Sequence, residues 1–228
     1  LRDYIFPPLL LPFFLIFIIF PFLLLIFFFA TSQVFQIVFG LEKHQAMTVF
    51  FLILIGSLIN IPLYEREGKT VLREVNFFGI IYYIRERKKV TVAVNLGGCV
   101  FPSLLAIKLL LEVPLIPWIT AFVISSFVIY TYARPVRGVG IAVPMIIPPL
   151  FSAIVGYLIL SLLGYPMTTL PKFTYSLGVL SALFGADILH LKDIEKIGGG
   201  VVSIGGAGTF DGIFLTGVFA VVFSILLI

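Results

Sequence analysis

Asp187 and Asp211 each stand at the edge of a long apolar segment, joined by a short charged and then glycine-rich connection. A carboxylate in such surroundings is costly to ionise and marks a candidate functional site. A connection of this length lets both segment ends lie side by side. Two close carboxylates in a low dielectric do not both ionise comfortably, so one holds a proton. That arrangement suits a proton-coupled site, a cation site, or an acid–base pair that activates water. His190 follows Asp187 by one helical turn. An Asp-x-x-His pair with Asp211 offers three hard or borderline ligands, but no further ligand joins them in the sequence. His190 is therefore read as an interfacial polar residue, and neither a metal nor any other cofactor is assigned.

The glycines around these acids are the second signal. Gly198-Gly199-Gly200 and Gly205-Gly206-Ala207-Gly208 are unfavourable in a plain helix. One explanation is unwound backbone at a helix entrance, where free N–H groups bind an anion or let a substrate approach. The other is close packing of segments through small residues. The acids also have a structural reading: Thr209 caps the last segment with Asp211 in its first turn, and Asp187 pairs with Lys192, Lys196 or Arg134. Lys108 and Glu112, one turn apart, form an ion pair, with Lys108 snorkelling outward, or gate a solute path. Asn60, Asn95 and Ser57 make a possible polar cluster. The candidate binding set is thus Asp187, His190, Asp211, Asn95, Asn60, Gly205, Gly206 and Gly208, with Asp187 and Asp211 the candidate catalytic pair.

The elements that must position these residues are apolar. Of 228 residues, 61% are hydrophobic and 11% charged, which excludes an ordinary soluble domain. About seven runs approach the ~20 helical residues that a hydrocarbon core requires. They are Leu9–Gly40, with a kink expected at Pro21, then Met47–Leu63, Leu96–Glu112, Trp118–Ala133, Ile141–Leu163, Phe173–Leu191 and Thr209–Ile228. The prolines at 144, 148 and 149 suit a kink or a cavity lining. The first run is too long for a signal core and is read as a retained span. The expected fold is one all-α transmembrane bundle over residues 1–228, with a β-hairpin inserted at 64–95. That insertion is rich in β-branched and aromatic residues around the charged tip Arg85–Lys89. An interfacial helix is the alternative.

Alternate loops then fall on opposite sides. One side carries Arg2, the Arg66–Lys89 cluster, Arg134, Arg137, Lys192 and Lys196, and the other only Lys43 and Lys172. The positive-inside rule puts the N-terminus and the hairpin in the cytoplasm and the C-terminus outside. A net charge of +4 is read as this orienting charge, not as a nucleic-acid footprint. The lone Cys99 forms no internal disulfide.

Two stretches match in outline. Ser57–Glu65 resembles Asp187–Glu195, and Val92–Pro102 resembles Gly200–Asp211, pairing Gly97-Gly98 with Gly205-Gly206. If this is a repeat, three spans, a linker span and three more form a parallel duplication, which in transporters flanks the solute site. Chance matching in so apolar a chain is the competing reading. With a true repeat, the strand-like residues after Gly200 could pair with the hairpin.

Asn95–Gly98 followed by Pro102, the stretches Arg137–Pro144 and Phe184–Leu191, and above all Ser203–Gly217 resemble an uncharacterised prokaryotic polytopic membrane-protein family, domain of unknown function 1614. The resemblance runs from about Asn60 to the end of the chain. It implies a multi-spanning membrane protein and brings no activity. Gly206-Ala207-Gly208 ahead of Asp211, with Thr209 and Phe210 between, is similar to the Gly-x-Gly-Asp motif of intramembrane aspartyl proteases. That resemblance implies catalytic roles for Asp187 and Asp211.

The leading expectation is a transporter-like multi-pass protein of the cell membrane with a proton- or cation-binding carboxylate pair near the cytoplasmic face. The rival is an intramembrane aspartyl protease. The third is a scaffold that binds partners through the basic hairpin. The implied partners are the lipid bilayer and a small solute or ion, or a membrane peptide. The sequence sets no oligomeric state.

Overall fold

Helices make up most of the chain, as long apolar runs require, because the backbone polar groups of such runs are most simply satisfied within one segment. The computed structural model describes residues 11–77, 80–136, 140–197 and 200–228. The expectations attached to Arg2, Arg137, Gly198 and Gly199 lie outside these residues. Seven α-helices are α1 (Leu11–Phe39), α2 (Lys43–Gly56), α3 (Phe101–Leu109), α4 (Leu115–Tyr132), α5 (Ile147–Leu162), α6 (Leu170–Ala182) and α7 (Gly212–Ile225). The strands are β1 (Asn60–Phe77), β2 (Ile80–Asn95), β3 (Arg134–Val136), β4 (Gly140–Ala142) and β5 (Gly200–Ile204).

Two helices, over Leu15–Phe39 and Leu115–Tyr132, are long and apolar enough to cross a membrane by length and composition. The other apolar helices, over Lys43–Gly56, Leu96–Leu109, Ile147–Leu162 and Gly212–Ile225, are shorter, at 10–17 residues. Many large apolar side chains nonetheless face outward, among them Phe17, Leu111, Ile116 and Leu162.

The chain forms two compact units, Leu1–Phe50 and Phe51–Ile228. In the first, Phe50 takes edge-on contacts from Phe27 and Phe28, with ring centroids 6.1 and 5.1 Å away. In the second, α4 to α7 pack around the fully buried Phe173, Leu177 and Leu160, with Trp118 beside them. The Trp118 indole N–H donates to Ser176 Oγ at 2.9 Å, which satisfies a buried polar group. Helices α6 and α7 touch closely at Gly178, where a Cβ would meet the Thr216 carbonyl oxygen at 2.9 Å.

The sheet order is β1-β2-β5. β1 and β2 are antiparallel from Asn60 opposite Asn95 to Phe77 opposite Ile80. The reversal therefore falls between Phe77 and Ile80, and Arg85–Lys89 runs within β2 instead of forming a tip. The turn-favouring Asn76 and Gly79 stand at that end, whereas Arg85–Lys89 holds no glycine, proline or asparagine. β5 lies parallel to β2, with Val90 opposite Gly200 and Val94 opposite Ile204. Both strands then lead through a glycine pair into a helix, β2 towards α3 and β5 towards α7.

Two helix boundaries depart from expectation. α2 stops at Gly56, and Asn60 to Leu63 belong to β1 rather than to a helical span. α5 begins at Ile147, not at Ile141. Pro144 has no N–H and disfavours helix before it, whereas Pro148 fits the first turn. Residues 140–142 pair instead with β3 in a short ribbon.

Candidate functional site

Asp187 is carried by a wide π-helical turn, Leu183–Ile188, that continues α6. Gly185 makes this possible: a Cβ there would sit 2.6 Å from the Ser126 carbonyl oxygen and 3.1 Å from Ile129 Cβ, so only glycine lets the turn lie on α4. Such π turns are frequent at functional sites. The Asp187 side chain is half-buried and makes no hydrogen bond or ion pair among the described residues. The expected pairing with Lys192, Lys196 or Arg134 is not made.

Asp211 is held differently. Its extended backbone (φ −73°, ψ 148°) makes it the N-cap of α7, where its carboxylate accepts from Ile213 N–H at 2.9 Å. The other carboxylate oxygen accepts from Ala207 N–H at 3.4 Å. Asp211, not Thr209, is the cap. A single 3-10 turn over Gly208–Phe210 delays the helix, which leaves Thr209 buried behind it. The positive end of the helix favours an anion at this position.

Close packing accounts for part of the glycine cluster. Gly205 (φ 73°) lies against Cys99, where a Cβ would be 2.6 Å from Cys99 Cβ. Gly208 (φ 63°) lies against Ser57, and a Cβ on Gly98 would strike the carbonyl oxygens of Gly205 and Gly208. The two strand-to-helix entrances therefore meet backbone to backbone. Gly206 alone of the three is exposed.

Asp187 and Asp211 share one cavity of about 430 Å³, and they are close enough to act on one another electrostatically. Gly205 and Gly206 line it beside them, with Pro144 and Pro148 on the wall, as expected of those prolines. The β3–β4 ribbon, the stretch that follows it and the start of α7 complete the enclosure.

His190, Asn60, Asn95 and Gly208 do not line the cavity. His190 is 5% exposed, with its ring 4.6 Å from that of Tyr130 and its Nδ1 without a hydrogen-bond partner. Asn95 is fully buried and joins the sheet to the helix entrance. Its amide donates to Ser57 O at 2.8 Å and Asn60 Oδ1 at 3.1 Å, and its Oδ1 accepts from Gly98 N–H at 2.8 Å. Ser203 Oγ closes the network by donating to Asn60 Oδ1 at 2.5 Å. The anticipated polar cluster thus exists as a structural joint.

Glu112 pairs with Lys172 at 2.7 Å, not with Lys108. α3 has ended at Leu109, so Glu112 no longer stands one helical turn above Lys108. Thr216 and Met145 line the cavity and carried no sequence signal beyond a lone hydroxyl and a lone thioether in apolar runs.

No curated protein and no solved structure matches the chain. Residues 54–223 match the model of the family described as "Protein of unknown function (DUF1614)", and the chain belongs to that family.

Proposed function

We propose that this is a multi-pass membrane protein of transporter-like kind, with Asp187 and Asp211 as a proton- or cation-binding pair near the cytoplasmic face. The observation that carries the reading is the shared cavity, in which Asp187 is left without any partner. An unpaired carboxylate is costly to keep away from bulk water, so it is retained where a proton or cation completes it. The outward-facing Phe17, Leu111, Ile116 and Leu162 support lipid contact, since soluble surfaces rarely expose so much apolar area. The adjacent parallel entrances of β2 and β5 support two related halves meeting beside the site. Charge asymmetry supports a cytoplasmic hairpin and N-terminus.

The test is ion flux in proteoliposomes under an imposed pH or sodium gradient, read with a pH-sensitive dye and with labelled sodium. The native protein dissipates the gradient, and Asp187→Asn slows this at least about tenfold, as loss of a single essential protonation site does. Flux that survives Asp187→Asn removes the coupling role. The same pair in one cavity also serves the rival reading, an intramembrane aspartyl protease. Peptide cleavage in detergent that is abolished by both Asp187→Asn and Asp211→Asn would favour that reading over transport.

A further inference from the structure

The cavity is much larger than a bare ion needs. A water molecule occupies roughly 30 Å³, and about 430 Å³ falls within the range of small-molecule sites. Its walls are aliphatic, with Ile129, Ile141, Val143, Met145, Pro148 and Ile213. Among the described residues, no basic side chain lines it, and no third His, Cys, Asp or Glu joins the two acids.

A third polar group faces this space. Thr216 lines the cavity, is 2% exposed, and its hydroxyl makes no hydrogen bond among the described residues. A helical threonine commonly bonds back to the carbonyl one turn earlier. Here that bond is not made, and the buried hydroxyl is left to the cavity, where an orphaned polar group costs about 1–3 kcal/mol. Asp187 is likewise unengaged, and each carboxylate oxygen of Asp211 keeps acceptor capacity beyond its single backbone bond. The polar side chains of the cavity are therefore acceptors of negative or neutral character, set in an aliphatic wall.

Resting on the cation reading above, we infer that the ligand is a protonated primary or secondary amine with an aliphatic body. Its N–H groups bond Asp187, Asp211 and the Thr216 hydroxyl, and its chain packs on the isoleucines. A quaternary ammonium is not matched. It has no N–H to donate and is held by aromatic faces, and no aromatic ring lines the cavity among the described residues.

Equilibrium dialysis of labelled n-butylamine at neutral pH against the full chain in detergent, with protein-free micelles as the blank, tests this. The expected result is saturable binding, weakened at least tenfold by Asp187→Asn and several-fold by Thr216→Val, and retained by Asp187→Glu. Trimethylbutylammonium and 1-butanol do not displace the label. The inference is overturned if trimethylbutylammonium competes equally, or if both Asp187→Asn and Thr216→Val bind undiminished. Should Asp187→Asn fail to elute as a single species, Thr216→Val decides alone. Sodium bound in an Asp187-dependent way without butylamine binding overturns the amine and keeps the cation site. Absence of butylamine binding, sodium binding and proton flux together overturns both.

Discussion

The two strand-to-helix entrances of this protein start from similar residues and end as different devices. At Asn95–Gly98 the chain passes directly from β2 into helix. The asparagine is buried, and its amide is fully engaged with Ser57, Asn60 and Gly98. At Ile204–Gly212 the chain takes a turn and a 3-10 segment first, and the capping residue is an aspartate that opens onto a cavity. The extra residues separate cap from strand, and that separation makes room for Asp187 to face Asp211. A short neutral joint closes packing; a longer acidic one leaves space and charge.

Breaking the contact between the two entrances has the largest expected effect. Gly98→Ala drives a methyl group into the carbonyls of Gly205 and Gly208, neither of which is a flexible side-chain end. Overpacking of this kind costs about 1–3 kcal/mol or more, read as a fall in the thermal midpoint of the purified protein. Asn95→Ala follows. It leaves the buried Gly98 N–H and Ser57 carbonyl without their partner, at about 1–3 kcal/mol for each unsatisfied group. The same measurement checks it, and an unchanged midpoint would contradict the structural role given to Asn95.

The acidic entrance responds differently. Asp211→Asn keeps a good capping side chain and costs only a few tenths of a kcal/mol, whereas Asp211→Ala costs about 0.5–2 kcal/mol. The pair sharpens the comparison: the asparagine variant stays folded while its cation binding falls. Asp187→Asn, which removes no bond, leaves the thermal midpoint unchanged or raised while flux falls. Gly212→Ala has the smallest effect of all. Its added methyl meets nothing within 4 Å, and the helix gains up to about 1 kcal/mol of propensity.

Much of this was legible in the chain itself. The apolar runs marked every α-helix, and the β-branched residues before Asn95 marked β2, because helix and strand preferences act over a few neighbours. Asp187 and Asp211 stood out because charge in such runs is rare. Other expectations failed where a boundary had to be known first. Thr209 looked like the cap until the 3-10 turn moved the helix start to Gly212. Lys108 and Glu112 looked like a pair until α3 ended at Leu109.

Composition and local pattern by themselves settled the helical character, the strand pair and the identity of the two acids. Tertiary packing settled which acid is engaged and which is free, that His190 turns to Tyr130, and that Thr216 joins the cavity. The reason is range. Helix and strand tendencies arise among residues a few positions apart, whereas the cavity is enclosed by side chains spread from Ile129 to Thr216. Their approach depends on close contacts at Gly98, Gly185 and Gly205 that no local pattern encodes.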